Sequence, residues 1–136
     1  MEQISLKIVD ESDYEFLFEL LKERDSRTAI SHKEIPTFDE HVKFVLSEPY
    51  TNWYIILQNG DKIGSTYLSK NNEIGIFLKK GNQGKSIGKI ALNMIIEKNP
   101  KKRYLANINP ENKISKKFFE KNGFKLIQHT YELTKD

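Results

Sequence analysis

Glu73-Ile74-Gly75-Ile76-Phe77-Leu78, followed by Lys79-Lys80-Gly81-Asn82-Gln83-Gly84-Lys85-Ser86-Ile87-Gly88, is the stretch on which the fold turns. Its first six residues read as a strand. The next ten form a loop with small residues at 81, 84, 86 and 88, and from Ile87 onward Ile87, Ile90, Ala91, Met94 and Ile95 recur at helical spacing up to Asn99-Pro100. Glycines at a strand-to-helix junction let backbone approach a ligand, while the first unpaired N–H groups of the helix favour negative charge. The segment therefore reads as a phosphate or pyrophosphate site, against the alternative of a glycine-rich turn with no ligand. Gly84-Lys85-Ser86 resembles the end of a Walker A loop, but that motif needs glycine where Lys79 stands. The dinucleotide fingerprint fails too, because it belongs to a first strand among parallel neighbours.

Upstream, Trp53 to Leu57, Asn59-Gly60, Lys62 to Leu68, Asn71-Asn72 and Glu73 to Leu78 read as three consecutive antiparallel strands joined by tight turns. Further back, Ile4, Leu6 and Ile8 alternate as a first strand. Asp10 caps a helix whose Tyr14, Leu17, Phe18 and Leu21 form a stripe up to about Glu23. Thr37 with Glu40 is a capping box, opening a second helix that buries Phe38, Val42, Val45 and Leu46 and stops before Pro49. Downstream, Tyr104 to Ile108 reads as a short strand. Asn109 and Pro110 then start a fourth helix that carries Ile114, Phe118 and Phe119 inward and closes at Asn122-Gly123, and Lys125 to Leu133 supplies a last strand. The expected class is α+β: a mixed, mostly antiparallel sheet flanked by about four helices.

Composition narrows the function. A chain of 136 residues has room for one domain, spanning 1–136. Its Lys and Arg number 22 against 19 Asp and Glu, and a net charge of +3 is too small and interspersed to call for nucleic acid. With no cysteine, disulfides, thiolate metal sites and a cysteine nucleophile are excluded, and no metal site is expected. No stretch approaches a membrane span or a signal peptide, so a cytoplasmic location is the expectation.

Two blocks carry a family resemblance. Gln83, Ser86 and Gly88 resemble the acetyl-CoA motif Gln/Arg-x-x-Gly-x-Gly/Ala of the GNAT superfamily of N-acyltransferases. Asn109-Pro110-Glu111-Asn112, Ser115 and Phe118-Phe119-Glu120-Lys121-Asn122-Gly123-Phe124 resemble its second conserved block. The resemblance implies acetyl-CoA as cofactor and a small-molecule amine as acceptor. It implies that Ile76, Phe77 and Leu78 lie along the pantetheine arm as if it were another strand. The pyrophosphate would rest on N–H groups of Gly84, Lys85, Ser86, Ile87 and Gly88, with Gln83, Lys89, Asn109, Asn112 and Phe119 completing the cofactor site.

Two residues depart from the pattern. Ser86 stands where Gly is most common, and Phe119 stands where the family usually has a Tyr that protonates the departing thiolate. Water, another group such as Tyr67, or direct transfer from the amine would then supply that proton, or the chain binds acyl-CoA without turnover. Glu73 resembles the glutamate that some members use as base through water; its alternative is a solvent-facing strand residue. His32 lies in the long loop 24–36, where family substrates enter, and Arg24 and Arg27 there suit an anionic group on the acceptor. His41 and His129 read as structural. The run 24–41 is similar to sugar-nucleotide N-acetyltransferases, whose acceptor is the free amine of a nucleotide-linked amino sugar. Acetylation of a protein N-terminus or a polyamine is the runner-up, and either a monomer or a homodimer is compatible.

Overall fold

The computed structural model describes residues 3–23, 36–83 and 86–135. Four strands, β1 (Ile4–Ile8), β2 (Tyr50–Gln58), β3 (Asp61–Ser69) and β4 (Ile74–Leu78), form one antiparallel sheet in the order β1-β2-β3-β4. Around it lie α1 (Tyr14–Lys22), α2 (Phe38–Leu46), α3 (Ile87–Lys98) and α4 (Lys113–Lys121). Register runs from Ile4 opposite Gln58 to Ile8 opposite Tyr54 between β1 and β2, and from Gly64 opposite Leu78 to Leu68 opposite Ile74 between β3 and β4. Asn59 and Gly60 close the β2–β3 hairpin with φ of 52° and 88°, the paired left-handed conformations that a two-residue hairpin of this hand requires.

Side chains alternate across the sheet. One face carries Trp53, Ile55 and Leu57 against Leu17 of α1 and Val45 of α2. The other presents Tyr54, Leu68 and Ile74 to Leu92 and Ile95 of α3 and Phe119 of α4, and Ile56 and Ile63 to Ile87 and Ala91. Ile55, Ile56 and Ala91 are wholly buried, so the core sits on both sides of β2 and β3.

Asp13 fastens the first helix to the sheet. It is fully buried, and its carboxylate meets Lys7 of β1 at 2.6 Å and Lys62 of β3 at 2.7 Å while accepting the Asp10 N–H at 2.9 Å. Burial pushes its pKa up, but Lys62, Lys7 and the Asp10 amide outweigh that and hold it below the ordinary carboxylate value. Asp13→Ala is expected to cost about 2 to 3 kcal/mol, short of the full penalty for splitting a buried pair because both lysines still reach water. A group depressed in the folded state stabilises above its unfolded pKa and loses that contribution as pH falls through its folded one. Denaturant melts from pH 6 down to 2 should therefore fall more steeply for the native chain than for the variant.

Several elements differ from their sequence expectation. Thr37 and Glu40 do form a reciprocal capping box, but α2 buries His41 and Val45, leaving Phe38 at 42% and Leu46 at 63% exposure. In α3 the inward set is Ile87, Ala91, Leu92 and Ile95, with Ile90 turned outward. The fourth helix is capped by Asn112, whose Oδ1 accepts the Ser115 N–H at 3.2 Å; Asn109 instead accepts from Glu111 N–H in the turn before it. Ile114 faces solvent at 82% exposure, one position off the face made by Ser115, Phe118 and Phe119. Tyr104 to Ile108 is not a strand: it joins the sheet by one parallel bridge, Glu73 with Leu105. Lys125 to Leu133 forms no strand among the described residues. Among the described residues no helix is long and apolar enough to cross a membrane.

Candidate active site

β4 is an edge strand with one side open. Ile74 N–H donates to the Leu105 carbonyl at 2.7 Å and Leu105 N–H to the Asn72 carbonyl at 2.9 Å. Beyond that bridge the two segments part. Because main-chain groups alternate in direction along a strand, those of Ile76 and Leu78 point the same way as Ile74, into the gap. The register agrees, since Lys79 N–H returns to β3 at the Ile63 carbonyl, 2.7 Å away. The gap opens into a cleft of about 970 Å3 that wraps around the β4 edge. On one side it reaches His41, Tyr50, Trp53 and Tyr67, and on the other Asn107, Asn109, Asn112, Ser115 and Phe119.

The loop after β4 is tied back rather than free. Lys80 N–H donates to Glu23 at the end of α1 at 2.8 Å, and the Gln83 side chain donates to the Leu78 carbonyl at 2.9 Å. Ser86 is the N-cap of α3 in the left-handed conformation, φ 62°, and its hydroxyl makes no capping bond. The first intrahelical bond is Ile90 N–H to the Ser86 carbonyl, and the amides of Ile87, Gly88 and Lys89 have no main-chain partner among the described residues. Positive φ explains why Gly is the easier residue at position 86. Ser86→Gly is expected to raise stability by up to about 1 kcal/mol by removing left-handed strain, read as a higher denaturation midpoint. Gly88 has a different constraint: a Cβ there would lie 3.1 Å from the Phe118 ring, so its smallness also seats α3 on α4.

Glu73 sits at the apex of the gap. Its carboxylate accepts from Ser69 Oγ at 2.9 Å and from the Asn107 side-chain amide, bracing β4 against the 104–108 segment. Phe119 is 7% exposed, with edge-to-face contacts at 5.1 Å to Phe118 and Phe124. It offers no proton. Tyr67 does carry a hydroxyl at the cleft: its ring lies on Gly75 of β4, where a Cβ would be 2.7 Å from the phenol oxygen, and it stacks on Tyr50 at 3.8 Å. Arg24, Arg27, His32, Gly84 and Lys85 lie outside the described residues.

Residues 3–125 match the sequence profile of the acetyltransferase (GNAT) domain. The chain belongs to the GNAT acetyltransferase family. It is thus an acetyltransferase by family, and acetyl-CoA is the acetyl donor that GNAT enzymes use. The fold is also that of solved structures. One is a domain from Methanocaldococcus jannaschii DSM 2661, at 26% identity and TM-score 0.85 over 97% of this chain and 94% of that one. Another is an N-acetyltransferase from Staphylococcus aureus Mu50, at 19% identity and TM-score 0.72 over 90% and 84%. A third is a spermidine N-acetyltransferase from Vibrio cholerae in complex with CoA and spermine, at 18% identity and TM-score 0.77 over 93% and 83%. No curated protein sequence matches the chain.

Sequence reasoning missed the wall opposite the GNAT motif. Tyr50, Trp53, Tyr67 and Phe44 form linked ring contacts there, with Tyr50 and Trp53 4.8 Å apart. His41 belongs to this wall, 5% exposed, its Nε2 without a partner among the described residues. Burial lowers its pKa against an opposing hydrogen bond to the Tyr14 main chain, so the ring is neutral at pH 7. Its spacing of four from Val45 was the available signal.

Proposed function

We propose that this chain transfers the acetyl group of acetyl-CoA directly to the primary amine of a small molecule. The observation that carries the reading is the open β4 edge, with the Ile76 and Leu78 main-chain groups facing away from β3 and Ile76 lining the cleft; the amides that open α3 lie one loop further along the chain. Those two residues would hold the pantetheine arm by strand addition, with Phe77 beside them. Ile87, Gly88 and Lys89 amides, with Gly84, Lys85, Ser86 and Gln83, would bind the pyrophosphate. Gln83 would first release the Leu78 carbonyl or share it. Asn112 and Asn109 would flank the arm, and Phe119 would pack against it.

When bound, acetyl-CoA supplies an activated acyl carbon; this chain's residues position the amine and move protons. The amine must attack as the neutral base, and deprotonating a lysine-like amine at pH 7 costs more than about 4 kcal/mol. Glu73, fixed by Ser69 and Asn107, accepts that proton through water as the N–C bond forms. Tyr67, whose hydroxyl lies at the cleft, would protonate the leaving sulfur, a role Phe119 cannot fill. The acceptor side is bounded by aromatic rings, which suits a planar group carried by the acceptor, and the nucleotide-linked amino sugar reading fits that surface. Its other supports, Arg24, Arg27 and His32, remain part of the proposal, as does a cytoplasmic location.

A second reading, acyl-CoA binding without turnover, is favoured by Phe119 alone. Titrating the chain with acetyl-CoA and following free thiol on a panel of amines, including amino sugars, polyamines and peptides, separates the two. Release on one amine class is the expected result. Binding with no release on any amine supports the second reading.

A further inference from the structure

One buried lone pair among the described residues meets no donor. The other buried polar residues there are all engaged: Asp13 by Lys7 and Lys62, Ser65 by the Trp53 indole N–H at 2.7 Å, Thr66 by the Gly75 carbonyl at 2.8 Å, and Asn99 by Asn52 and Tyr54. His41 Nε2 is buried and has no partner. A buried polar atom left alone destabilises a contact that a leucine would fill without loss, so the nitrogen calls for a use.

The ring is held so that this nitrogen is the accepting one. Its other nitrogen faces the Tyr14 main chain, Phe18 packs against the ring at 5.5 Å, and burial keeps the imidazole neutral. A neutral imidazole has one N–H and one lone pair. With the N–H given to the Tyr14 carbonyl, Nε2 carries the lone pair.

His41 lines the cleft together with Leu17, Leu20 and Phe44, one helical turn before Val45, which packs over Ile55 of β2. Glu73 lines the same cleft at β4, two strand spacings or about 10 Å across the sheet. Between them Gly75, Tyr67 and Trp53 stand side by side in register, a continuous floor from one wall to the other. A molecule whose amine meets Glu73 therefore extends its far end toward His41. Of the carboxylates lining the cleft, Glu73 serves the reacting amine, and Glu40 is turned back to cap α2, accepting the Thr37 N–H at 2.9 Å. No other carboxylate among the described lining residues is left to compensate a second ammonium at the His41 end.

We propose that His41 Nε2 accepts a hydrogen bond from a hydroxyl at the far end of the amine substrate, so that this residue selects hydroxylated amines over those that lack the group. The inference rests on the acetyl-transfer reading of the cleft and adds the chemistry of the substrate: a primary amine at one end and an uncharged donor at the other. A site built to bond a hydroxyl rejects the analogue without it, because its own buried polar group is then left unpaired.

The test uses amines that differ by one hydroxyl, tyramine against phenethylamine and glucosamine against 6-deoxyglucosamine. Two quantities are read on the full chain: thiol release from acetyl-CoA, and the nitrogen NMR resonance of His41 Nε2 with coenzyme A present, which does not depend on turnover. The free chain should show the resonance of an unbonded lone pair, and only the hydroxylated member of at least one pair should shift it. That member should be preferred by about tenfold in kcat/KM, carried by KM. His41→Leu should bring the ratio to about one, and His41→Gln, whose amide oxygen can accept, should restore part of it. An Nε2 already hydrogen-bonded in the free chain, as an internal water would leave it, no shift with either hydroxylated amine, or a preference that survives His41→Leu would each overturn the assignment. A shift without thiol release would uphold the hydroxyl contact and count against acetyl transfer; release indifferent to the hydroxyl would do the reverse.

Discussion

Glu73→Gln is expected to lower turnover by about a hundredfold or more while leaving acetyl-CoA affinity within about twofold. The magnitude follows from the usual contribution of a positioned general base. Its carboxylate is bound to Ser69 and Asn107 at the point where β4 leaves the 104–108 segment, on the same side of the strand as Gly75 and Phe77 and within the cleft. The amide keeps the shape and one accepting oxygen but takes up no proton. Raising pH, which supplies neutral amine without help, should narrow the gap between variant and native chain. Equal turnover at pH 7 would reduce Glu73 to a brace between two segments, and Asn107→Ala, which frees the brace and keeps the base, would then cost more than the Gln variant.

Gly64→Ala is expected to destabilise the chain by about 2 to 4 kcal/mol, in the range of strong overpacking. A Cβ on Gly64 would stand 2.4 Å from the carbonyl oxygen of Phe77 and 3.2 Å from Cα of Leu78. Those atoms are backbone and cannot rotate away, so β3 and β4 must separate along the strand that borders the cleft. Gly60→Ala is the comparison: nothing lies within 4 Å of its Cβ, and only its φ of 88° is strained, for a cost nearer about 1 kcal/mol. Urea melts of the two variants should rank in that order. Equal midpoints would mean that the strands slide apart without penalty.

Much of this was legible because it is local. The Asn59-Gly60 turn, the Thr37–Glu40 box and the end of α4 at Gly123, φ 93°, are each decided by neighbouring residues, and each formed as read. Helix faces were read to within about one position. A period of 3.6 leaves Ile90 and Leu92, or Ile114 and Ser115, nearly equivalent until a partner surface chooses between them. The last strand failed for a different reason: alternation in Leu126 to Leu133 states a capacity for pairing, and the ladder that would realise it is absent from the described fold. The strand-to-helix junction of β4 and α3 was readable from the glycine-rich loop. Gly64, Gly75 and the Tyr50–Tyr67 stack were not, because close approach between distant segments leaves no mark on either segment alone.

Strands β2, β3 and β4 succeed one another through two tight turns, whereas β1 must reach Tyr54 to Gln58 across both α1 and α2. Closing a short loop costs little chain entropy and closing a long one costs more, so the middle of the sequence zips first. During synthesis β1 leaves the ribosome well before the strand it pairs with, and its full register is available only once residue 58 has emerged.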